Sequence, residues 1–225
     1  MTFQDELARV LPADLPQRDV VIEKAAKHLD LVVAANEYMN LTRIASPTEA
    51  AIKHVADSVL PWRHFADARR VLDAGTGAGF PGIPLALVLP EVRFVLAESV
   101  QKKARFVASA VEALELSNVR VIADRAEAVA LAETPDVITA RAIAPLERIV
   151  ETFRKSLDRG MRLLLYKGPD VAAEIAALPD RRVSAQIIDR YELPEGFGAR
   201  TLVAVTRARK GARARHDTPA EAKRR

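Results

Sequence analysis

The stretch VLDAGTGAGFPG, residues 71–82, joins a short apolar run directly to a glycine-rich turn. An apolar run of this length predicts a buried strand, and the glycines after it allow the backbone to turn tightly and approach a ligand closely. Ligands of open α/β sheets bind at this carboxyl edge of the strands. The stretch therefore predicts the first strand of an α/β sheet with a binding site at its end.

Apolar runs on the C-terminal side of this stretch alternate with helical segments, one of them predicted from Pro145 to Leu157, and this alternation is typical of βαβ units. The single runs cover residues 92–97, 119–123, 136–140 and 161–166. Two late runs, 184–193 and 199–206, flank the turn sequence PEGFG and predict an antiparallel pair at the sheet edge. Five parallel strands with a terminal hairpin predict an α/β fold, a Rossmann-like sheet of the class I S-adenosylmethionine-dependent methyltransferase type.

Residues 1–65 instead have apolar positions at helical spacing and predict an N-terminal helical extension. Ser46 before Pro47, with Glu49 three residues after the serine, predicts the start of a helix that continues to about Leu60. The segment NEYMNLTRI, residues 36–44, predicts a loop. The expected organisation is an extension over 1–65, a methyltransferase domain over 66–206 and a basic tail over 207–225.

The charge of the chain is concentrated at its C-terminus. The 34 Lys and Arg residues outnumber the 30 Asp and Glu residues by four. Residues 207–225 carry a net charge of +6, which leaves −2 on the rest of the chain. A segment rich in Arg, Lys and Ala without large apolar side chains predicts disorder. It could be a solvated tail that aids solubility or an arm that tethers RNA.

Composition excludes several classes of protein. No stretch approaches the ~18 consecutive apolar residues of a membrane span, and the start MTFQDELARV lacks the features of a secretory signal. The absence of cysteine excludes disulfides, thiolate metal sites and a cysteine nucleophile. Histidines at 28, 54, 64 and 216 show no metal-ligand spacing. We therefore expect a cytoplasmic protein, monomeric, with no membrane or metal partner.

The glycine turn allows two classes of ligand. The sequence from Gly77 to Gly82 matches the dinucleotide fingerprint G-x-G-x-x-G, and Glu98 lies near the ~20-residue spacing of a ribose-binding acid. However, Asp73 suits an ammonium group better than a pyrophosphate, and Pro81 and Pro84 remove amide donors that a pyrophosphate needs. These residues favour S-adenosylmethionine over NAD; a glycine turn without a ligand is the third alternative.

Two acidic segments extend this predicted cofactor site. Glu98 ends the second strand and would accept hydrogen bonds from ribose hydroxyls, unless it is a surface acid. Asp124 to Glu127 follow the third strand, where the backbone of Ala126 and Glu127 could contact the edge of an adenine ring. Acids at this position could equally serve the dipole of the following helix.

The end of the fourth strand, TARA at residues 139–142, bears on the reaction. It lacks the Asn/Asp-Pro-Pro-aromatic stretch typical of adenine amino-group methylation, and the chain has no cysteine for C5-pyrimidine methylation. Guanine N7 carries an exposed lone pair, so its methylation needs alignment but no general base. Arg141 is the candidate catalytic residue here, with a solvated or sheet-edge arginine as the alternative.

The chain resembles the GidB/RsmG family of bacterial methyltransferases between about Asn36 and Lys167. The resemblance lies in the order and spacing of NEYMNLTRI, HVADSVLP, VLDAGTGAGFPGIPLA, LAESVQKKARFV, DRAE, DVITARAIAPL and YKG. It implies a class I methyltransferase fold with a helical extension. It also implies methyl transfer from S-adenosylmethionine to N7 of guanine 527 in the 530 loop of 16S ribosomal RNA.

The same resemblance implies which residues contact the cofactor. The implied contacts are Gly75, Phe80, Ala126, Glu127 and Arg141, with Asp73, Gly77 and Glu98 as neighbours. The tail after residue 207 is not part of the family pattern.

The expected partner is 16S rRNA or a small-subunit ribosomal particle. Phosphate contacts come from basic side chains, and single-stranded guanine is recognised by stacking or edge hydrogen bonds. The candidate RNA contacts are Asn40, Arg43, His54, Lys102, Lys103, Arg105, Arg141 and Lys167. His54 and Asp57, three residues apart on one helix, could instead form a structural pair.

Three other functions remain open from the residues alone. The chain could methylate another RNA or a protein, since the cofactor half of the site is better specified than the substrate half. It could be a dinucleotide-binding redox or sensor module, because the glycine turn formally fits one. It could also be a non-catalytic RNA-binding assembly factor that retains the cofactor pocket.

Overall fold

A seven-stranded sheet forms the centre of the computed structural model, which describes residues 2–42, 46–141, 144–180 and 182–208. The strand order is β3-β2-β1-β4-β5-β7-β6. The strands are β1 Arg70–Ala74, β2 Arg93–Ala97, β3 Val119–Ile122, β4 Val137–Arg141, β5 Arg162–Lys167, β6 Val183–Glu192 and β7 Ala199–Arg207. Neighbouring strands among β1–β5 pair in parallel, and β7 pairs antiparallel with both β5 and β6. The predicted parallel sheet with a terminal hairpin is confirmed.

Strands β1, β2, β4 and β5 are buried on both faces, which explains their largely apolar sequences, whereas the edge strand β3 is only half-buried. Because successive side chains of a strand point to opposite faces, neighbouring residues belong to different cores. Val71 and Phe94 pack on one face with the N-terminal helices. Leu72 and Val95 pack on the other face with the helices that follow β3, β4 and β5.

Helices cover both faces of the sheet. The N-terminal ones are α1 Phe3–Val10, α2 Arg18–Met39, α3 Pro47–Ala50, a π-helical segment Ala51–Ala56, α4 Asp57–Val59 and a 3₁₀ turn Trp62–His64. The others are α5 Gly82–Val88, α6 Gln101–Ala113, α7 Ala126–Glu133, α8 Leu146–Thr152, α9 Arg154–Asp158, α10 Val171–Ala176 and a 3₁₀ turn Pro194–Gly196. Since α2 packs on α5 and α6, the extension shares one core with the sheet.

The start of the third N-terminal helix is confirmed. The Ser46 hydroxyl accepts a hydrogen bond from the Glu49 amide at 3.2 Å, and Pro47 occupies the first helical position. The loop predicted over residues 36–44 is wrong at its beginning, because α2 continues to Met39 and ends at Asn40, which has a left-handed φ of 51°. The polar composition of this segment predicted a loop. The last buried residue of α2 is Ala35, and the helix continues for one further turn of residues that are not buried.

Two other boundaries differ from the sequence-based expectations. The helix predicted from Pro145 to Leu157 divides into α8 and α9 because Phe153 leaves helical geometry, with φ −98° and ψ 17°. Strand β7 ends at Arg207, one residue beyond the predicted end of the domain. The guanidinium of Arg207 donates a hydrogen bond to the Asp158 carboxylate at 2.7 Å. The predicted disorder of the tail lies outside the described residues from 209 onward.

Candidate functional site

The glycine turn between β1 and α5 depends on left-handed backbone conformations. Gly75, Gly77 and Gly79 have φ values of 69°, 61° and 101°, a region that glycine occupies without the Cβ penalty of other residues. The amides of Gly75 and Thr76 donate to the Ala97 carbonyl at 2.9 and 3.1 Å. The turn is therefore fastened to the carboxyl end of β2.

Asp73, at the end of β1, accepts hydrogen bonds from both ends of the turn. Its Oδ2 accepts hydrogen bonds from the Thr76 hydroxyl at 2.6 Å and the Gly82 amide at 2.9 Å. The carboxyl group is fully buried, and burial raises its pKa to about 6. Its Oδ1 accepts no hydrogen bond from the described residues. One oxygen of this buried acid is thus left without a donor among the described residues.

Glu98 lies beside the turn and is buried, so the alternative of a surface acid is wrong. Its Oε2 accepts from the Gly77 amide at 3.1 Å and its Oε1 from the Val100 amide at 2.8 Å. Each carboxylate oxygen has a second lone pair for another donor. The side chain therefore joins the glycine turn to the segment that begins α6.

The start of α5 has few amides left for a phosphate group. The Gly82 amide donates to Asp73, and the Ile83 amide donates to the Gly79 carbonyl at 2.8 Å. Pro84 has no amide hydrogen. Pyrophosphate binding at a helix N-terminus requires such donors. The hydrogen bonds of this turn therefore disfavour a dinucleotide ligand.

An open cleft of about 810 Å³ lies at the carboxyl ends of β1, β2 and β3. It brings together three residues predicted to contact the cofactor, namely Gly75, Ala126 and Glu127. Its remaining lining residues are Ala74, Ala97, Ser99, Gln101, Ala123, Asp124, Arg125, Arg148, Thr152 and Phe153. We call this space the β1–β3 cleft.

A second cleft of about 430 Å³ lies at the carboxyl ends of β4 and β5. It is lined by Lys53, His54, Asp57, Arg141, Tyr166, Lys167, Gly168 and Arg200, and we call it the β4–β5 cleft. Phe80 links the glycine turn to this cleft, because its ring stacks on His54 with centroids 4.6 Å apart. The Arg141 guanidinium lies 5.6 Å from the same ring.

Arg141 is largely enclosed, so the alternative of a solvated arginine is wrong. Its side chain is 15% exposed and donates to the Lys53 carbonyl at 2.7 Å and the His54 carbonyl at 3.4 Å. Both carbonyls belong to the π-helical segment, and π-helical turns are frequent at functional sites. A third acceptor is Asp57 Oδ2, at 3.3 Å.

His54 and Asp57 do not form the direct pair considered from the sequence. His54 Nε2 shares a hydrogen bond with the Thr42 hydroxyl at 2.9 Å, and both His54 and Asp57 contact Arg141. Burial, together with the charge of Arg141, lowers the pKa of His54 to about 3. The imidazole is therefore neutral near pH 7.

Several residues of the site are not marked by any motif in the sequence. Arg200 Nε lies 3.5 Å from Asp57 Oδ1, and the Tyr191 hydroxyl donates to the same oxygen at 3.3 Å. Both come from the terminal hairpin, where no local motif marks them. His28 is buried in α2 and its Nε2 lies 2.8 Å from the Ala78 carbonyl in the glycine turn. Only its place on the apolar face of α2 could have marked it.

The other predicted RNA contacts do not form one cluster. Lys102 Nζ donates to the Tyr38 carbonyl at 2.9 Å, close to Asn40 at the end of α2. On α6, Lys103 is half-buried and Arg105 is exposed. Lys167 lines the β4–β5 cleft, but its ammonium already pairs with Glu174 at 2.8 Å. Arg43 lies outside the described residues.

A third cleft, of about 600 Å³, lies at the opposite, amino edge of the sheet near Arg70 and Arg93. It is remote from the glycine turn and from the strand ends where α/β sheets bind ligands. In the ranges that the structure describes, no group of three or more His, Asp or Glu side chains is arranged to hold a metal ion. No helix in those ranges is both long and apolar enough to cross a membrane.

The strand order, the glycine turn after β1 and the acid after β2 define a class I methyltransferase fold. Solved structures with this fold include MtNAS in complex with MTA and tNA, at TM-score 0.57 and 17% identity over 92% of this chain and 86% of that one. They also include the O-methyltransferase from Bacillus cereus in complex with SAH, at TM-score 0.53 and 23% identity over 80% and 91%. Similarity at this level supports the fold alone.

The GidB family model, described as rRNA small subunit methyltransferase G, matches residues 21–199. A Ribosomal RNA small subunit methyltransferase G from Solibacter usitatus is 58% identical over 91% of this chain and 100% of its own length. The protein of that name from Carboxydothermus hydrogenoformans is 36% identical over 81% of each chain. The chain therefore belongs to the GidB family, and the expected fold class and rRNA methyltransferase class are confirmed.

Proposed function

We propose that this chain transfers a methyl group from S-adenosylmethionine to N7 of guanine 527 in the 530 loop of 16S rRNA, in line with its family. The observation that carries the choice of N7 is the chemistry of the β4–β5 cleft. Asp57 is held by two arginines, His54 is bonded to Thr42, and the Tyr166 hydroxyl donates to a buried carbonyl. Burial raises the pKa of Tyr166 well above its ordinary value.

Among the described residues that line this cleft, Asp57 and His54 thus already form hydrogen bonds or ion pairs and are not available as a general base. Methylation of an amino group or a hydroxyl releases a proton that some group must accept, whereas N7 attacks with a lone pair and releases none. A cleft of this kind suits a nucleophile that needs alignment with the methyl carbon and sulfur.

The β1–β3 cleft and the glycine turn at its edge together fit S-adenosylmethionine, although Asp73, Gly77 and Glu98 do not themselves line the cleft. The cofactor would supply a methyl group on a sulfonium centre. Asp73 has a buried oxygen without a partner in the described chain, which suits the ammonium group of the methionine part. Glu98 has lone pairs for the ribose hydroxyls, and Ala126 and Glu127 line the side where an adenine would lie. Gly75 and Gly77 permit close approach of the backbone.

The chain would act mainly by holding the two reactants in line. The glycine turn and Glu98 hold the donor, while Phe80 and Arg141 connect that site to the β4–β5 cleft. The positive charge passes from sulfur to the guanine ring, so no proton needs to be moved by the protein. We retain Arg141 as the candidate catalytic residue and as a cofactor contact, because it lines the β4–β5 cleft while its guanidinium lies 5.6 Å from the ring of Phe80 in the glycine turn.

The same proposal includes the predicted RNA contacts. Asn40, Lys102, Lys103 and Arg105 would contact the RNA beside the donor site, and the RNA contact predicted for Arg43 stays a prediction outside the described residues. Lys167 would contribute only after exchanging Glu174 for a phosphate, because its ammonium is already paired. A cytoplasmic monomer with boundaries near residues 65 and 206 remains our expectation.

The test is methyl incorporation from labelled S-adenosylmethionine into small-subunit RNA of a strain that lacks this gene, followed by mapping of the modified nucleotide. Naked 16S rRNA and intact small subunits are compared as substrates. We expect one methyl group per RNA, at N7 of guanine 527. Incorporation at another nucleotide or into protein would contradict the substrate, and no incorporation with tight cofactor binding would favour a non-catalytic assembly factor.

A further inference from the structure

Asp57, within the HVADSVLP stretch, lines the β4–β5 cleft. It is the first residue of α4, directly after the π-helical segment, and it is only 5% exposed. One carboxylate oxygen lies 3.3 Å from Arg141 NH1 at the end of β4, and the other lies 3.5 Å from Arg200 Nε on β7. A single buried carboxylate therefore joins two guanidinium groups from distant parts of the chain.

The hairpin also fixes Asp57 from the side of β6. The Tyr191 hydroxyl lies 3.3 Å from both the backbone carbonyl and Oδ1 of Asp57. Burial and the neighbouring Asp57 charge raise the pKa of Tyr191, so the phenol stays protonated and can donate. The carboxylate is thus held in one orientation.

The charges of the cleft are unevenly neutralised. Lys53 and Lys167 pair with carboxylates that do not line the cleft, Glu49 at 2.6 Å and Glu174 at 2.8 Å. Arg141 and Arg200 instead share Asp57. Two guanidinium groups on one carboxylate leave a net positive charge, and without the carboxylate the two like charges would repel each other.

We propose that Asp57 is a positioning residue for methyl transfer, which holds Arg141 and Arg200 together so that they contact the phosphate of the nucleotide to be methylated. This inference rests on the proposed function. Arginine forks match the geometry of phosphate oxygens. Arg200 contacts Asp57 through Nε and Ala199 through NH1, which leaves NH2 for a phosphate oxygen.

The reaction itself favours phosphate over the guanine edge as the partner of these arginines. The guanine ring becomes cationic when N7 is methylated, so guanidinium groups against that edge would oppose the developing charge. A phosphate keeps its negative charge throughout the reaction. The arginines can therefore hold the nucleotide through its phosphate while the base reaches the methyl group.

A double-mutant cycle tests whether Asp57 acts through Arg200. Asp57→Asn keeps the shape of the side chain and removes its charge, and Arg200→Ala removes the partner. We expect Asp57→Asn to lower kcat/KM for 16S rRNA by about tenfold in the wild-type chain and by less than about threefold in Arg200→Ala, because residues in one network are not additive. Cofactor Kd should remain within about twofold, because Arg141 keeps its hydrogen bonds to the Lys53 and His54 carbonyls when Asp57 loses its charge.

Asp158→Asn is the matched control, because it breaks an Asp–Arg pair with Arg207 at the far side of the sheet and should leave kcat/KM unchanged. Equal decreases from Asp57→Asn in both backgrounds would overturn the proposal. If wild type methylates no guanine N7, the proposed function fails instead, so the two failures are distinguishable.

Urea unfolding shows whether Asp57→Asn folds. If it does not, the salt dependence of RNA binding by Arg200 variants tests the proposal instead. Arg200→Ala should lower the slope of log RNA affinity against log salt by about 0.7, the value for one phosphate neutralised on a single strand. Arg200→Lys should restore most of that slope, since it keeps the charge. A slope that is the same in Arg200→Ala and wild type would overturn the proposal.

Discussion

At the scale of single residues, Glu98 combines two tasks that spacing alone could not separate. The spacing from the glycine turn predicts a ribose contact for this acid at the end of β2. Only the fold shows that both of its oxygens already accept hydrogen bonds from backbone amides. The carboxylate therefore shapes the turn, and we propose that its remaining lone pairs accept hydrogen bonds from the ribose hydroxyls.

Replacing Glu98 by Gln tests this arrangement. The amide nitrogen of Gln is a donor, so in either orientation it would face the amide of Gly77 or of Val100, and one hydrogen bond is broken. We expect cofactor binding to weaken by about 1.5–3 kcal/mol, as for a hydrogen bond to a charged group. Calorimetry with S-adenosylmethionine measures this change, and the exposed Glu112→Gln serves as control. Unchanged affinity in a folded Glu98→Gln variant would remove Glu98 from the site.

His28 makes stability depend on pH. Burial lowers its pKa to about 4, below the ordinary value of 6.5. Between these values the unfolded chain binds a proton that the folded chain does not. The free energy of unfolding is therefore highest above pH 6.5, as far as His28 is concerned, and decreases as the pH falls toward 4. The slope is about 1.4 kcal/mol per pH unit. Asp73, whose pKa burial raises to about 6, acts in the opposite direction below pH 6.

In the variant His28→Gln, the free energy of unfolding should therefore lose the rise of about 1.4 kcal/mol per pH unit that His28 contributes between about pH 4.5 and 6.5, while Asp73 and His54 contribute as in wild type. Its amide can still donate to the Ala78 carbonyl, but it takes up no proton in the unfolded chain. Urea unfolding at several pH values should show a slope that differs from wild type by about one proton. Parallel curves for the two proteins would contradict the assignment of a neutral, buried His28.

At the scale of elements, the sequence supports what depends on neighbouring residues. The glycine turn, the five parallel strands and the hairpin follow from local runs and spacings, and the structure contains them all. The pairing of Asp57 with Arg200 joins residues 143 positions apart, so no local pattern contains it. The enclosure of Arg141 likewise depends on a π-helical segment that composition does not reveal.

The glycine turn itself contains two kinds of glycine. A Cβ on Gly82 would lie 2.2 Å from Leu96 Cδ2 and 2.7 Å from Asp73 Oδ2, whereas a Cβ on Gly77 would have no atom nearer than 4.0 Å. Gly82 is thus required by packing between β1, β2 and α5. Gly77 is required by its φ of 61°, which costs a residue with a side chain about 1–2 kcal/mol.

We therefore expect Gly82→Ala and Gly77→Ala to differ. Gly82→Ala should lower the free energy of unfolding by about 2 kcal/mol or more, since overpacking forces the backbone to move. Gly77→Ala should stay folded and bind the cofactor more weakly, because the turn must change its conformation beside the ligand. Thermal unfolding and calorimetry on both variants separate the two effects. Equal stability of the two variants would contradict the packing argument.

At the scale of the whole molecule, charge is divided between a body that is slightly acidic and a basic C-terminal segment. An acidic body alone would be repelled by RNA at long range, so local cations have to supply the attraction. In the body, the cations of the β4–β5 cleft are mostly paired with carboxylates. The tail is thus the largest uncompensated source of positive charge in the sequence.

Deleting residues 209–225 tests whether that charge binds RNA. The cut leaves β7 complete, since the strand ends at Arg207, and it removes seven cations. If the tail binds phosphates, the slope of log RNA affinity against log salt should shrink by about 0.7 for each single-strand phosphate that the tail had neutralised. Cofactor affinity should be unchanged, because the glycine turn and both clefts are built from residues before 201.

A full-length variant with the seven tail Lys and Arg residues replaced by Gln separates charge from chain length. Counterion release depends on the number of phosphates neutralised, so this variant should have the same shallow slope as the truncated chain. If the Gln variant instead retains the wild-type slope while the truncation reduces it, the tail acts through its length. Parallel slopes for all three proteins would mean that the tail does not bind RNA. The attraction must then come from the body, from Lys102, Lys103 and Arg105 on α6 together with Arg141 and Arg200 in the β4–β5 cleft.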